Sequence, residues 1–340
     1  MSTGKPLRAG LIGLGRMGRN HARVLRQLDG VTLVAAADPA GDPYHAADGI
    51  PVLRDADDLL AVGIDYAVLA CPTGLHEGIG TRLAAAGMPA LIEKPLAPGA
   101  DAGRRLAAAF SDAGVPAAVG YIERFNPALI AMRARLADGQ LGEVFQLVTR
   151  RIGPFPARIT DVGVVQDLAT HDLDLTAWVT GQCYVEIAAR TRHLSGRPHE
   201  DLLAAVAVLD GGTIAHHLVN WLSPLKERAV VATGVNGCLA ADTLTSDLTY
   251  WANGANPTPW DGLTAFRGVT EGDVTRYAIP RKEPLLAEHE AWRDAVLGKP
   301  SPTTPLSDGV TAILVAEAVI EAARTGITMP VPGLAQASVA

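Results

Sequence analysis

Gly13-Leu14-Gly15-Arg16-Met17-Gly18 spaces three glycines as G-x-G-x-x-G, between the apolar run Leu7–Ile12 and a helical pattern over Met17–Leu28. In that setting each glycine has a task. The first permits a tight turn, the second lets the backbone approach a pyrophosphate, and the third lets the helix pack on the strand; helix-end N–H groups then face the phosphates. Asp38 follows Gly18 by twenty residues, at the end of the apolar run Val31–Ala37. A carboxylate there accepts hydrogen bonds from the adenosine ribose hydroxyls and repels a 2′-phosphate. No Lys or Arg occurs from Pro39 to Leu53 to invite that phosphate. These residues point to NAD rather than NADP.

A second constellation is Asp167 and His171, four residues apart within a predicted helix over Gly163–Val179. Residues at that spacing share one helix face. A carboxylate there orients an imidazole and favours its protonated form, and histidine is the side chain best suited to taking a hydroxyl proton near neutral pH. Taken alone, a helix histidine is more often packing than chemistry. Two arginines, Arg151 and Arg158, lie in the loop that leads to this helix. Guanidinium forks suit phosphate and carboxylate oxygens, and the competing use is an internal pair with Asp161 or another acid.

The elements that must hold these residues alternate in the first ~120 positions. Leu7–Ile12, Val31–Ala37, Tyr66–Cys71, Ala90–Glu93 and Pro116–Tyr121 read as strands. Met17–Leu28, Ala56–Ala61, Leu75–Ala86 and Ala100–Ala113 read as helices. Apolar strands alternating with helices predict a parallel sheet covered on both faces. Pro39–Pro51 is rich in Gly and Pro, so the helix expected after the second strand is short or absent there. Beyond Asn126-Pro127 the rhythm changes. A helix over Ala128–Ala137 and a strand over Glu143–Ile152 are followed by extended runs at Val185–Arg192, Leu202–Leu209, Thr213–Trp221, Arg228–Thr233 and Val274–Ile279. Turn signals such as Asp210-Gly211-Gly212 and Asn236-Gly237 join them, which predicts a largely antiparallel sheet. Helices over Leu285–Leu297 and Asp308–Thr325 close the pattern. The expected domains are 1–122, binding NAD, and 123–340, binding substrate and assembling the oligomer, with room for the last helices to pack back on the first.

Composition excludes several classes. The chain has 340 residues, 48% hydrophobic, with 29 Lys+Arg against 36 Asp+Glu and a formal charge of −7. That is ample for folded domains of roughly 100–200 residues each and unlike a binder of nucleic-acid backbone. No apolar stretch reaches the about 18 residues of a membrane span, and the short polar start has no signal-peptide pattern. Cys71, Cys183 and Cys238 are far apart, as expected of thiols in a reducing cytoplasm, and no metal ligand set is evident. His216 and His217 adjoin in a predicted strand and must face opposite ways. His289 and Trp292 read as helix packing or surface, and Asp172 and Asp174 as scaffold.

Glu93-Lys94-Pro95 stands at the end of a strand in a chain with five lysines against 24 arginines. With the glycine turn it resembles the Gfo/Idh/MocA oxidoreductase family. Pro72-Thr73-Gly74-Leu75-His76 resembles that family's loop lining the nicotinamide side, and Gly120–Pro127 its crossover into the second domain. Asp167-Leu168-Ala169-Thr170-His171-Asp172-Leu173-Asp174 is similar to its second catalytic motif. The resemblance implies a Rossmann domain followed by an α/β domain with an open antiparallel sheet, used as a homodimer or homotetramer interface. It implies NAD-linked oxidation of a secondary alcohol on a sugar or cyclitol. The cofactor residues would be Gly13, Leu14, Gly15, Arg16, Met17, Asp38, Pro72, Thr73, His76, Glu93 and Lys94. His171 would be the base, Asp167 its orienter, and Lys94 the cation on the same oxygen; which of His171 and Lys94 moves the proton stays open. Glu123 and Asn126 sit where the family brings chain near the substrate.

The loop from Arg150 to Gly163, with Glu123–Pro127 before it, is similar to the UDP-N-acetylglucosamine 3-dehydrogenase branch of the family. That resemblance implies oxidation of the sugar's C3 hydroxyl to a ketone, with Glu123, Asn126, Arg151 and Arg158 toward the substrate. The alternatives are an inositol 2-dehydrogenase or other free-sugar dehydrogenase, a ketosugar reductase of a secondary-metabolite pathway, and a non-catalytic NAD-binding regulator.

Overall fold

The structure, a computed structural model, describes residues 5–155, 162–254 and 270–332. The chain forms two compact units. The first comprises residues 1–122 and 283–313, and the second 123–282 and 314–340. The second stretch of sequence is therefore not one unit, because residues 283–313 belong with the first.

In the first unit the strands are β1 (Leu7–Ile12), β2 (Val31–Ala37), β3 (Val52–Leu53), β4 (Tyr66–Leu69), β5 (Ala90–Glu93) and β6 (Ala117–Gly120). They form one parallel sheet in the order β3-β2-β1-β4-β5-β6. The order reverses beside β1, so the crevice at the carboxyl ends of β1 and β4 is the natural ligand site of such a sheet. Helices α1 (Arg16–Gln27), α2 (Ala56–Ala61), α3 (His76–Ala85) and α4 (Ala100–Ala113) connect the strands. The core gathers Leu11, Leu25, Val68 and Leu91 with Trp292 of α7 (Pro284–Val296). Residues 38–51 hold no helix. Three prolines and two glycines prevent one, and the Asp42 carboxylate instead accepts the N–H groups of Ala46 and Ala47, both at 2.7 Å.

The second unit is built on nine strands: β7 (Val144–Ile152), β8 (Tyr184–Arg192), β9 (Leu202–Leu209), β10 (Ile214–Asn220), β11 (Glu227–Gly234), β12 (Gly237–Asp242), β13 (Asp247–Gly254), β14 (Thr270–Arg276) and β15 (Met329–Pro330). Their order is β14-β13-β12-β11-β7-β10-β9-β8-β15. Every neighbouring pair is antiparallel except β7 with β10. Helices α5 (Pro127–Ala137) and α6 (Thr170–Thr180) press Leu129, Met132, Leu175 and Val179 onto Leu147, Val230 and Leu239 of the sheet. The later residues of α8 (Leu306–Thr325), among them Val315 and Val319, join Leu173, Ile187 and Leu203 in a second cluster on this unit.

The opposite sheet face carries Val231, Val148, His216, Val206 and Ala188 in register across five strands. None of the five is buried, and Val206 is 44% exposed. His217 points the other way. It is buried, with Thr149 Oγ1 at 2.8 Å from Nδ1 and the Tyr184 hydroxyl at 3.0 Å from Nε2. Burial first, and the neighbouring His216 charge second, push its pKa down to about 3. The two adjacent histidines thus serve different surfaces.

The predicted helix over Gly163–Val179 is two elements. Val165–Ala169 is a π-helical turn, and α6 starts only at Thr170. A π turn closes i→i+5 bonds and is wider than an α turn. Asp167 lies in that turn and His171 just beyond it, so the two straddle the junction of the elements rather than lying in one α-helix.

Candidate active site

The first unit presents the glycine turn at the carboxyl end of β1. Gly13 has φ +95°, and a Cβ there would stand 2.7 Å from the backbone of Ala70, so only glycine fits. A Cβ on Gly18 would stand 1.9 Å from the Gly13 carbonyl oxygen, which is how closely α1 packs on the turn. Gly15 is different: nothing lies within 4 Å of a Cβ built there. Its backbone borders open space at the N-terminus of α1, which has no side-chain cap. Leu14, Arg16 and Met17 flank it on the same turn. Asp38 closes the far side, its Oδ2 accepting the Leu14 N–H and its Oδ1 the Ala40 N–H, both at 2.8 Å. A carboxylate has about four acceptor sites, so capacity for ribose hydroxyls remains.

Pro72 is exposed and Thr73 half-buried at the mouth of β4. His76 is used differently from what its place in the motif implies. Its ring is buried, with Nε2 at 3.0 Å from the Cys71 carbonyl oxygen and Nδ1 at 3.1 Å from that of Pro95. It braces the loop after β4 against the loop after β5. Burial outweighs these bonds and lowers its pKa. Glu93 ends β5, and its Oε2 accepts the Lys94 N–H at 3.1 Å. Lys94 is half-buried, and the Lys94–Pro95 peptide is cis.

In the second unit His171 sits in the first turn of α6, 8% exposed, and Asp167 is half-buried. The neighbouring Asp172 belongs to a charge cluster that the sequence reading did not assemble. Arg151 Nε donates to Asp172 Oδ1 at 2.9 Å and Nη1 to Glu123 Oε1 at 2.8 Å. Arg228 Nη1 reaches the same Glu123 oxygen at 3.4 Å. Arg151 is 2% exposed, so its guanidinium is spent on internal acids and not turned to solvent. Arg228, whose side chain is 29% exposed, is the cation of this cluster that solvent reaches. Burial would raise Glu123, but the charges and hydrogen bonds of Arg151 and Arg228 overcome it and hold the carboxyl low. Asp172 goes the other way: burial raises it despite Arg151.

Asn126 is the N-cap of α5. Its Oδ1 accepts the Ala128 N–H at 3.0 Å, and its Nδ2 donates to the Thr243 carbonyl at 2.9 Å. Both ends of the amide are spent on structure. Asp174 takes a two-point bond from Arg124, at 2.9 and 2.6 Å, as a scaffold acid would. Arg158 and Asp161 lie outside the described residues. Among the described residues no group of three or more His, Cys, Asp or Glu is arranged to hold a metal ion.

Residues 7–121 match the family described as "Oxidoreductase family, NAD-binding Rossmann fold" (GFO_IDH_MocA), and residues 129–240 match its C-terminal domain. The myo-inositol dehydrogenase Hyg17 of Streptomyces leeuwenhoekii is 33% identical over 310 residues, covering 84% of this chain and 92% of that one. The chain belongs to the Gfo/Idh/MocA family. It is an NAD-binding oxidoreductase, and its relatives are dehydrogenases acting on CH–OH groups. The UDP-N-acetylglucosamine 3-dehydrogenase of Acidithiobacillus ferrooxidans is 27% identical over 296 residues, covering 85% of this chain and 88% of the relative. The fold is similar to that of the WlbA dehydrogenase of Bordetella pertussis, solved with NADH and UDP-GlcNAcA. That likeness has a TM-score of 0.82 and 24% identity, covering 98% of this chain and 100% of the other. No described helix is long and apolar enough to cross a membrane.

NAD fits the first unit on these observations: open space at Gly15, an uncapped helix end for the pyrophosphate, and Asp38 for the ribose. Asp38→Ala is expected to raise KM for NAD about 10–100-fold, the about 1.5–3 kcal/mol of hydrogen bonds to a charged group. Discrimination against NADP should shrink with it. Steady-state kinetics with both cofactors check this.

Proposed function

We propose that the protein is an NAD-dependent dehydrogenase that oxidises the C3 hydroxyl of a nucleotide sugar such as UDP-N-acetylglucosamine to a ketone. NAD supplies the hydride acceptor. His171 takes the hydroxyl proton, Asp167 orients it, and Lys94 steadies the negative charge that develops on oxygen. Residues 123–282 and 314–340 form the substrate-binding and oligomerisation unit.

The observation that carries the substrate class is the arginine beside Glu123 that solvent reaches. Arg151 is enclosed and donates to both Asp172 and Glu123, whereas the Arg228 side chain is 29% exposed and reaches Glu123 at 3.4 Å. An exposed guanidinium with so loose an internal partner suits a diphosphate. In this reading Arg151 acts behind Arg228, and Arg158 is a further candidate contact. The likeness to UDP-N-acetylglucosamine 3-dehydrogenase over most of both chains supports it. A second reading, oxidation of a free cyclitol, is favoured by the 33% identity to a myo-inositol dehydrogenase.

The exposed sheet face with Val148, Val206 and Val231 suits an interface between copies, as a homodimer or homotetramer. The separate thiols Cys71, Cys183 and Cys238, all free, suit a reducing cytoplasm.

The test is NADH formation at the reduced-nicotinamide band with UDP-N-acetylglucosamine, other nucleotide sugars, myo-inositol and glucose, with a carbonyl trap present. Turnover with the nucleotide sugar, and a KM for it raised by Arg228→Ala, is the expected result. Turnover with myo-inositol alone would replace the first reading with the second.

A further inference from the structure

Three buried side chains from three elements of the first unit form a continuous chain. His21 of α1 and His289 of α7 are both 0% exposed, and Glu93 at the end of β5 is 7% exposed. His21 Nε2 lies 2.8 Å from Glu93 Oε1, and His21 Nδ1 lies 2.8 Å from His289 Nε2. The other Glu93 oxygen accepts the Lys94 backbone N–H.

The donors can be assigned by elimination. An ionised carboxylate only accepts, so His21 Nε2 carries a proton. His21 Nδ1 then either accepts from His289 Nε2–H or donates to it. The second arrangement forces the remaining proton of His289 onto Nδ1, which is buried with no acceptor. The first leaves a bare Nδ1 there, the cheaper state for a buried atom. Every hydrogen bond then points one way: His289 Nε2–H to His21 Nδ1, and His21 Nε2–H to Glu93.

We propose that His21 and His289 are positioning residues, a buried donor relay that fixes the Glu93 carboxylate and, through its bond to the Lys94 N–H, the backbone that carries the Lys94 side chain. The other titratable groups facing Glu93 do not compete. Glu288 of α7 is fully enclosed, with both oxygens unpartnered, and burial keeps it the neutral acid. His76 of α3 is kept toward its neutral form by burial, as is His289. Glu93 itself stays ionised: burial works against it, but the His21 bond, the Lys94 charge and the Lys94 N–H prevail. The consequence is a fixed backbone at the lysine whose cation is to meet an oxygen gaining negative charge. The inference rests on the reading of Lys94 as that cation, and its test needs neither substrate nor NAD.

The test has two arms on the intact apo protein. Nitrogen NMR of the histidine rings should show His21 and His289 each protonated at Nε2 alone. A doubly protonated His21 would overturn the assignment. Hydrogen exchange at the Lys94 amide, whose N–H the Glu93 carboxylate accepts, reads the positioning directly. His21→Leu should speed that exchange about tenfold in folded protein. His21→Gln, which keeps a donor, should restore it. Unchanged exchange in folded His21→Leu protein would overturn the proposal. Neither arm depends on which sugar is oxidised, so a failed substrate panel and a failed relay are separate results.

Discussion

His171→Ala is expected to lower kcat by about 10²–10⁴-fold, the usual worth of a positioned general base. Lys94→Ala is expected to cost about 10²–10³-fold, as for removal of one charge-stabilising donor. In both, NAD affinity should stay close to wild type, because the glycine turn and Asp38, the proposed dinucleotide contacts, are untouched. The split matters more than the size. A loss confined to KM would mean uniform binding rather than chemistry. His171 is 8% exposed, so alanine leaves a small cavity, and melting curves must accompany the kinetics. Unchanged turnover in both variants would remove these residues from the mechanism.

Arg151→Met is expected to cost about 3–5 kcal/mol of stability, because it strands the buried Asp172 carboxylate and leaves half-buried Glu123 only the 3.4 Å contact of Arg228. This prediction separates a brace from a clamp. If Arg151 held the substrate directly, the variant would melt near wild type and lose only substrate KM. The pH dependence follows from Glu123, which is held low in the folded state. Its contribution is present above the unfolded pKa and is lost as pH falls through the folded one. The gap between wild type and Arg151→Met should therefore narrow as pH falls into that range. Equilibrium urea unfolding at several pH values measures it.

The parts of this protein that were legible in its sequence are those governed by local rules. β1, the glycine turn and α1 are specified within about twenty residues by apolar runs and by backbone positions that exclude a side chain. Asn126-Pro127 announces α5 because the cap and the first-turn proline are adjacent. The missing helix at 39–51 was equally readable from its prolines. What escaped depends on partners distant in sequence. β12 is six residues of mostly small side chains with weak strand preference of its own, and it pairs along the edge that β11 offers. The parallel pairing of β7 with β10 joins segments about 70 residues apart. The π turn shifts Asp167 by a local insertion that periodicity does not register.

The site divides along the same line. Gly13, Gly15, Asp38, Lys94 and His171 sit in motifs readable from their spacing. Arg228 lies in a strand with no signature, and only the fold brings it to Glu123. His289 read as packing, and its 2.8 Å contact with His21 spans 268 residues. Arg151 looked like a substrate clamp because its loop contains no visible acid other than Asp161. Its partners, Glu123 and Asp172, come from other elements.

The central claim is that the hydrogen leaves ring carbon C3 of a nucleotide sugar and arrives on NAD. It is tested most directly with UDP-N-acetylglucosamine carrying deuterium at C3, incubated with enzyme, NAD and a carbonyl trap. The account predicts NADH one mass unit heavier and a trapped sugar that has lost its deuterium. Unlabelled NADH from that substrate, or labelled NADH only from deuterated myo-inositol, would contradict it.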